Sequence, residues 1–363
     1  MKIICVVGAR PNFIKIAPII AEIKNHPELE YLLVHTGQHY DDKMSDVFFT
    51  DLKIPKPDIN MSINSGSQTS QIAKIMIEFE NICRQEKPDL VLVVGDVNST
   101  LACAFSANRL GIKVAHVEAG LRSYDRSMPE EVNRVLVDQI SNYLLITEES
   151  ARNNLIKEGI SDDKIYFVGN VMIDSLISNL ERQTDIISRL DLVKYCVVTL
   201  HRPSNVDDKL KLIEILDILT KINQTTNIVW PIHPRTKKNI AKFGLEDKLK
   251  TIKIIDPLGY LDFITLTGGA QFLLTDSGGI QEETTYLGVP CLTMRQNTER
   301  PITIEEGTNV LVNSEEEIFF AIDNIGRKKN TIPKYWDGKS AKRIIDVILK
   351  QGVDKGGENA TLP

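Results

Sequence analysis

Two short apolar runs in the first half of the chain, Leu90–Val94 and Lys113–Val117, each end abruptly in a carboxylate: Asp96 behind Val94-Gly95, and Glu118 behind Val117. A further acidic pair, Glu130-Glu131, follows Pro129 at what reads as the first turn of a helix. If the runs are buried parallel strands, their ends carry these groups to the crevice where open α/β sheets bind ligands. Carboxylates gathered in such a cleft can hold different pKa values, the condition for acid/base chemistry near neutral pH. His116, Arg122 and Arg126 lie in the same stretch. The competing reading makes Asp96 a helix cap and leaves Glu130 and Glu131 merely suited to a helix N-terminus.

Cations and glycines gather at other strand ends. The turn Gly8-Ala9-Arg10-Pro11-Asn12-Phe13-Ile14-Lys15 lacks the G-x-G-x-x-G spacing, so a dinucleotide is not indicated. Arg10 and Lys15 fall at or in the first turn of a helix, where the macrodipole disfavours positive charge; residues set against a local preference are candidates for function. His201-Arg202-Pro203 and His233-Pro234-Arg235 each follow a strand, and two such pairs point to an anion or phosphate site. In Thr275-Asp276-Ser277-Gly278-Gly279-Ile280-Gln281-Glu282-Glu283 a strand runs into glycines and then a helix. Backbone N–H groups there could approach a diphosphate at the positive helix end, with Glu283 one turn in and within reach of a ribose. His35 and His39 straddle Gly37, which breaks the helix that a metal-binding pair would need; a polar loop is expected there instead.

The elements that must position these groups alternate between short β-rich runs and longer amphipathic stretches. Strands are predicted at Ile3–Val7, Tyr31–His35, Leu90–Val94, Lys113–Val117, Tyr143–Ile146 and Ile165–Phe167. The rhythm restarts at Tyr195–Leu200, Ile228–Ile232, Ile252–Ile255, Phe272–Thr275, Cys291–Met294 and Val310–Val312. Predicted helices include Ile14–Asn25, Gln68–Glu86, Ser99–Leu110, Glu130–Ile140, Glu148–Glu158, Asp208–Ile222, Gly279–Leu287 and Glu315–Ile325. The predicted fold is therefore α/β, with two Rossmann-like domains facing across a cleft. Residues 1–170 would carry the acid/base groups and residues 171–339 the phosphate site. A helix at about 340–351 is expected to pack back on the first domain, and 352–363 is expected to be a disordered tail.

Composition agrees with a two-domain globular chain: 363 residues, 42% hydrophobic and 25% charged. A net charge of -6 and a pI near 5.7 argue against a nucleic-acid partner. Five cysteines without close pairs read as buried free thiols in a reducing compartment, and no spacing supports a metal site. Ile3–Val7 is too short for a signal-peptide core and no apolar run is long enough to cross a bilayer, so a cytoplasmic protein with no membrane partner is expected.

Four motifs taken together resemble those of the non-hydrolysing UDP-N-acetylglucosamine 2-epimerases. They are Gly95-Asp96-Val97-Asn98-Ser99-Thr100, His116-Val117-Glu118-Ala119-Gly120-Leu121-Arg122, Met128-Pro129-Glu130-Glu131-Val132-Asn133-Arg134 and the stretch Thr275–Glu283. The likeness runs from Gly8-Ala9-Arg10-Pro11 to Thr298-Glu299-Arg300-Pro301. It implies the glycosyltransferase-B architecture, with the nucleotide held mainly by the C-terminal domain. It also implies a cytoplasmic homodimer without metal or NAD cofactor, supplying N-acetylmannosamine nucleotides for surface polysaccharides. The implied reaction inverts C2 of a UDP-N-acetylhexosamine, UDP-GlcNAc to UDP-ManNAc, by eliminating UDP to 2-acetamidoglucal and adding it back. By match of position, Asp96, Glu118 and Glu131 would form the acid/base set, His201 would assist UDP departure, and Lys15 would support the acidic cluster. Arg10, Ser277, Gly278, Gly279 and Glu283 would bind UDP, joined by His233 and Arg235.

The departures from the family pattern concern regulation and substrate. Members activated by a second UDP-GlcNAc carry a Gln where Asp41 stands here and an Arg where Ser67 stands; Pro203-Ser204-Asn205 replaces their Arg-Glu-Asn. The chain is accordingly expected to lack that activation or to replace it. A diacetamido-uronic nucleotide sugar is a second substrate reading, since related epimerases with similar Gly-Gln-His-Tyr loops act on such sugars. A glycosyltransferase of the same architecture is the alternative class; carboxylates at the strand ends fit proton transfer on two faces of a carbon better than they fit an acceptor groove.

Overall fold

The computed structural model describes residues 1–37, 51–63, 66–327 and 330–353. The chain divides into two compact units, one made of Met1–Ser175 with the segment from Lys334 onward, the other of Leu176–Pro333.

In the first unit, seven strands form a parallel sheet in the order β3-β2-β1-β4-β5-β6-β7. They are β1 (Lys2–Val7), β2 (Glu30–His35), β3 (Ile59–Asn60), β4 (Leu90–Val94), β5 (Lys113–Ala119), β6 (Tyr143–Ile146) and β7 (Ile165–Phe167). The helices α1 (Arg10–Ile23), α2 (Gln68–Glu86), α3 (Asn98–Arg109), α4 (Pro129–Ile140) and α5 (Glu149–Lys157) connect them. A parallel sheet covered on both faces needs strands that are apolar throughout, which is why Leu90–Val94 is one uninterrupted buried run. On one face Ile4, Val6, Val91 and Val93 pack with Ile75 and Phe79 of α2 and Ala102 and Ala107 of α3. Strand order reverses between β1 and β4, so the residues following those strands lie where sheets of this kind bind ligands.

Helix α1 begins at Arg10, four positions before the predicted start. Pro11 presets the first turn. Asn12 then ties that turn down: its Oδ1 accepts from the Gly8 and Ala9 N–H groups (3.2 and 2.9 Å), and its Nδ2 donates to the Val94 carbonyl at 2.9 Å. The start of α1 is thereby fixed to the end of β4.

The second unit repeats the plan with β8 (Tyr195–Thr199), β9 (Asn227–Pro231), β10 (Lys253–Ile255), β11 (Leu273–Thr275), β12 (Cys291–Thr293) and β13 (Asn309–Leu311), in the order β10-β9-β8-β11-β12-β13. Its longer helices are α6 (Lys209–Ile222), α7 (Pro234–Phe243), α8 (Tyr260–Gly268), α9 (Gly278–Leu287) and α10 (Glu315–Asp323). Val198, Trp230 and Leu274 of the sheet pack on Leu212, Leu216 and Leu219 of α6. The order reverses between β8 and β11, which places His201 and Ser277 just beyond the switch point.

Helix α11 (Ser340–Val353) belongs to the first unit, burying Ile344, Ile345 and Ile348 and packing along α1. Its first turn is held from outside: Asp174 Oδ2 accepts the Ala341 N–H at 2.7 Å. Gly352 and Val353, read from sequence as part of the tail, are helical, because the apolar face carries the helix on to where Gly352 lies close to Met1. Residues 354–363 lie outside the described residues. All five cysteines are buried and free, and burial pushes the thiols of Cys5 and Cys196 up to about 12. Among the described residues no helix is long and apolar enough to cross a membrane.

Candidate active site

The acidic residues singled out at the strand ends of the first unit come together. Lys15, reaching from α1, forms an ion pair with Glu118, and both are buried. Gly95 closes the same corner: a Cβ built there would stand 3.1 Å from Lys15 Nζ, 3.5 Å from Asn12 Nδ2 and 3.9 Å from Glu118 Oε2. Its φ of 69° is the left-handed turn that ends β4 and presents Asp96. Arg134 of α4 then links the remaining two carboxylates, donating from Nη2 to Asp96 Oδ2 and from Nη1 to Glu131 Oε2, both at 2.5 Å. Asn133 Nδ2 donates to the Asp96 carbonyl at 2.9 Å.

The three carboxylates differ in how they are held. Asp96 keeps its side chain 30% exposed. Glu131 is buried and saturated: besides Arg134, it accepts from the Ser123 N–H and hydroxyl (both 2.9 Å) and the Tyr124 N–H (2.9 Å). Glu118 sits at a bulge in β5, where pairing with β6 slips between Val117 and Ala119, and its φ is 74°. For a residue other than glycine that conformation costs on the order of 1–3 kcal/mol, and such strain concentrates at functional sites. The bulge re-aims the Glu118 side chain toward Lys15, away from the alternation of the strand.

Other cations of that stretch do different jobs. Arg122 turns inward, donating to Glu158 from Nε (2.8 Å) and Nη2 (2.6 Å) and to Asp138 Oδ2 from Nη2 at 2.7 Å. Arg10 opens α1, but its side chain lies outside what the structure describes, as do Gln38, His39, Tyr40 and Asp41. Ser67 is described: its hydroxyl caps α2 by accepting the Ser70 N–H at 3.2 Å.

In the second unit Ser277 is the N-cap of α9 and Gly278 its first residue. A Cβ at Gly278 would stand 2.6 Å from Glu299 Oε1, so glycine is what lets this helix end approach Glu299 so closely. Behind them lie buried ion pairs, Arg295 with Glu299 (2.7 Å) and Arg300 with Glu282 (2.9 Å). Glu283, also buried, lies beside Tyr260. Burial and that carboxylate together push the Tyr260 phenol upward, so it stays a donor.

His201 is anchored by Asp276. The fully buried carboxylate accepts the His201 and Arg202 N–H groups (3.0 and 2.8 Å) and Asn205 Nδ2 (3.1 Å), and His201 Nδ1 lies 3.0 Å from Oδ1. With Nδ1–H committed to Asp276, Nε2 is left for another partner. The His233 ring lies 5.3 Å from that of His201, and His233 caps α7 by accepting the Arg235 N–H at 3.1 Å. The guanidinium of Arg235 is occupied by Asp207, to which Nε donates at 2.9 Å.

Burial alone would raise the Asp276 carboxyl, but His201, the Arg202 N–H and Asn205 outweigh it and hold the group below the usual range. Its contribution to stability is therefore present above the unfolded value, about 3.9 for Asp, and is lost as pH falls through the lower folded value. Asp276→Asn is expected to lower stability at neutral pH and to lose less stability than the parent on acidification below about pH 4. Urea melts over a pH series measure both.

Asp276 and Asp138 were not singled out from the sequence, although a signal existed for each. Asp276 follows a strand end as Asp96 does, and Asp138 falls two helical turns after Glu131 on the same face of α4.

The sequence profile of the UDP-N-acetylglucosamine 2-epimerase family matches residues 21–349. The chain is 44% identical over 362 residues to a UDP-N-acetylglucosamine 2-epimerase of Methanocaldococcus jannaschii, covering 96% of this chain and 99% of that one. It is 40% identical over 356 residues to the UDP-2,3-diacetamido-2,3-dideoxy-D-glucuronate 2-epimerase of Pseudomonas aeruginosa, covering 96% and 100%. Among solved structures, the M. jannaschii UDP-GlcNAc 2-epimerase in complex with UDP-GlcNAc and UDP superposes with a TM-score of 0.90 at 44% identity, over 96% of this chain and 100% of that chain. A strained carboxylate beside a buried lysine in one Rossmann-like unit, and a glycine at the start of a helix in the other, thus occur in a chain of which 96% aligns with these enzymes: it belongs to the UDP-N-acetylglucosamine 2-epimerase family.

Proposed function

We propose that the chain interconverts UDP-GlcNAc and UDP-ManNAc by inverting C2 of the sugar. The observation that carries this reading is the gathering of Asp96 and Glu118 around Gly95, each with its own cation, Arg134 and Lys15. The C2–H of the sugar is not adjacent to a carbonyl, so removing it directly is prohibitively difficult. If the anomeric C–O bond breaks as the proton leaves, the C2–H electron pair becomes the C1–C2 double bond and UDP departs with the bridging oxygen. A proton returned to the other face of C2, with UDP re-adding at C1, gives the epimer. Nothing in this sequence is oxidised or reduced, so no redox cofactor enters it.

Asp96 and Glu118 serve the two faces of C2, a division that needs two groups and not one. Lys15 balances the buried Glu118 charge. Glu131, saturated by its donors, acts through Arg134, which it orients toward Asp96. Ser277, Gly278 and Gly279 cradle the diphosphate, Arg10 adds a cation to it, and Glu283, set by Tyr260, takes the ribose hydroxyls. His201, oriented by Asp276, donates from Nε2 to the departing phosphate, and His233 supports it through ring contact. Arg235, paired with Asp207, contributes to the position of α7.

Incubating the enzyme with UDP-GlcNAc, and separately with the diacetamido-uronic nucleotide sugar, tests the substrate. Accumulation of UDP-ManNAc from the first supports the proposal, and turnover of the second alone overturns it. With Ser67 spent on capping α2, UDP-ManNAc is expected to be epimerised without added UDP-GlcNAc; a lag abolished by a trace of that sugar would contradict this. A cytoplasmic homodimer feeding surface-polysaccharide synthesis completes the proposal. Exposed Ile77 and Phe105, on the adjacent helices α2 and α3, support the dimer, and light scattering reads its mass.

A further inference from the structure

We propose that His116 is a positioning residue held as a doubly protonated imidazolium, and that it sets Asp96 and Glu118 in register from beneath the sheet ends. The inference rests on the acid/base roles given above to those two residues.

His116 is fully buried in β5. Its Nδ1 lies 2.7 Å from Asp138 Oδ1, and its Nε2 lies 2.8 Å from the Gly95 carbonyl oxygen. Both partners are acceptors. The carbonyl has no hydrogen to give, and the other oxygen of Asp138 receives the Gly120 N–H at 3.0 Å and lies 2.7 Å from Arg122 Nη2, a guanidinium contact that favours the ionised carboxylate. Each ring nitrogen therefore carries a hydrogen, and the ring a positive charge. A neutral ring would leave one lone pair against an acceptor oxygen in a fully buried site, at a cost of about 1–3 kcal/mol.

The surrounding charges accommodate this cation. Asp138 on α4 faces it directly, Arg122 completes the contact, and Glu158, just beyond α5, neutralises Arg122. Two positive and two negative groups balance, and the next ion pair, Lys15 with Glu118, balances on its own. Burial pushes the Asp138 carboxyl up, but His116 and Arg122 more than offset this and hold it below the ordinary range.

The linkage joins the two backbone turns that matter. Nε2–H fixes the carbonyl of Gly95, the left-handed residue that turns the chain into Asp96. Asp138 fixes the N–H of Gly120, which closes the bulge holding Glu118 at φ 74°. One buried imidazolium between a carboxylate and a carbonyl thus spans from one candidate base to the other. An amide side chain carries both its donors on one nitrogen and an acceptor oxygen at its other end, so it does not reproduce two donors on separate ring atoms.

The test uses the full chain labelled with ¹⁵N-histidine, together with the variants His116→Asn and His116→Gln. Both ring nitrogens of His116 should show protonated chemical shifts, as the two acceptors flanking the ring require. In the variants kcat should fall by about 10–100-fold, the size of effect that a misplacement near 1 Å produces, with KM and UDP affinity retained. One bare ring nitrogen, or variants that keep the parent kcat, would overturn the inference. If the variants do not fold, the spectrum of the parent still decides it. Failure of the parent enzyme to epimerise UDP-GlcNAc would instead strike the proposed function, and it is read in a separate assay.

Discussion

Replacing Glu118 by Gln is expected to lower kcat by about 10²–10⁴-fold, the usual contribution of a positioned proton-transfer group, and to leave the dissociation constant for UDP unchanged. The amide keeps the shape of the side chain but loses both its charge and its ability to take or give a proton. Lys15 then loses its ionic partner in a buried setting, which for a buried pair can cost on the order of 3–5 kcal/mol. Stability must therefore be measured beside activity. UDP affinity provides the internal control, because the cradle proposed for the diphosphate, Ser277 and Gly278, belongs to the other unit. Steady-state kinetics with calorimetric titration of UDP distinguishes the outcomes: loss of turnover with retained UDP binding supports the assignment, and retained turnover removes Glu118 from the chemistry.

Gly278→Ala should give the complementary result. The added Cβ would lie 2.6 Å from Glu299 Oε1, and Glu299 is buried and paired with Arg295 at 2.7 Å, so it cannot easily withdraw. Overpacking of this kind costs about 1–3 kcal/mol. If the displacement falls on the helix end, UDP binding weakens by roughly 5- to 150-fold, at 1.4 kcal/mol per tenfold. KM for the sugar nucleotide rises with it, while the carboxylates of the first unit are untouched. An alanine variant that binds UDP like the parent would show that the cradle lies elsewhere.

Much of this arrangement is legible in the sequence where the physics is local. Leu90–Val94 reads as a buried parallel strand because it is apolar at every position, and its ends coincide with the observed ones. The carboxylates at strand ends, and Lys15 on the first helix, are found from position alone and do gather in one unit. Helix α7 is not legible, because Pro234–Phe243 is short and only Ile240 and Phe243 stand as large apolar residues to mark its packed side. Helix α8 fails for the opposite reason: Tyr260–Gly268 is apolar on most sides and resembles an irregular apolar run. The two-residue strand β3 lies below the length at which a period can be seen.

Side-chain partners are harder still, since they are set by contacts between distant segments. His116 meets Asp138 across 22 positions, and Asp276 meets the His201 turn across 75. Arg122 looks like a free cation beside the acidic motif until Glu158 is seen to hold it from 36 positions away. The strained turn at Glu118 is equally hidden, because a non-glycine residue with positive φ leaves no mark in composition.

The central claim is that carboxylates of the first unit exchange the proton at C2 while UDP is detached. NMR of UDP-GlcNAc in D₂O, followed with the parent enzyme and with Glu118→Gln side by side, tests it most directly. The account predicts that UDP-ManNAc forms in the parent with deuterium at C2, and that deuterium enters neither sugar at a comparable rate in the variant. Epimerisation that keeps the original hydrogen at C2, or exchange that proceeds undiminished without the Glu118 carboxylate, would contradict it.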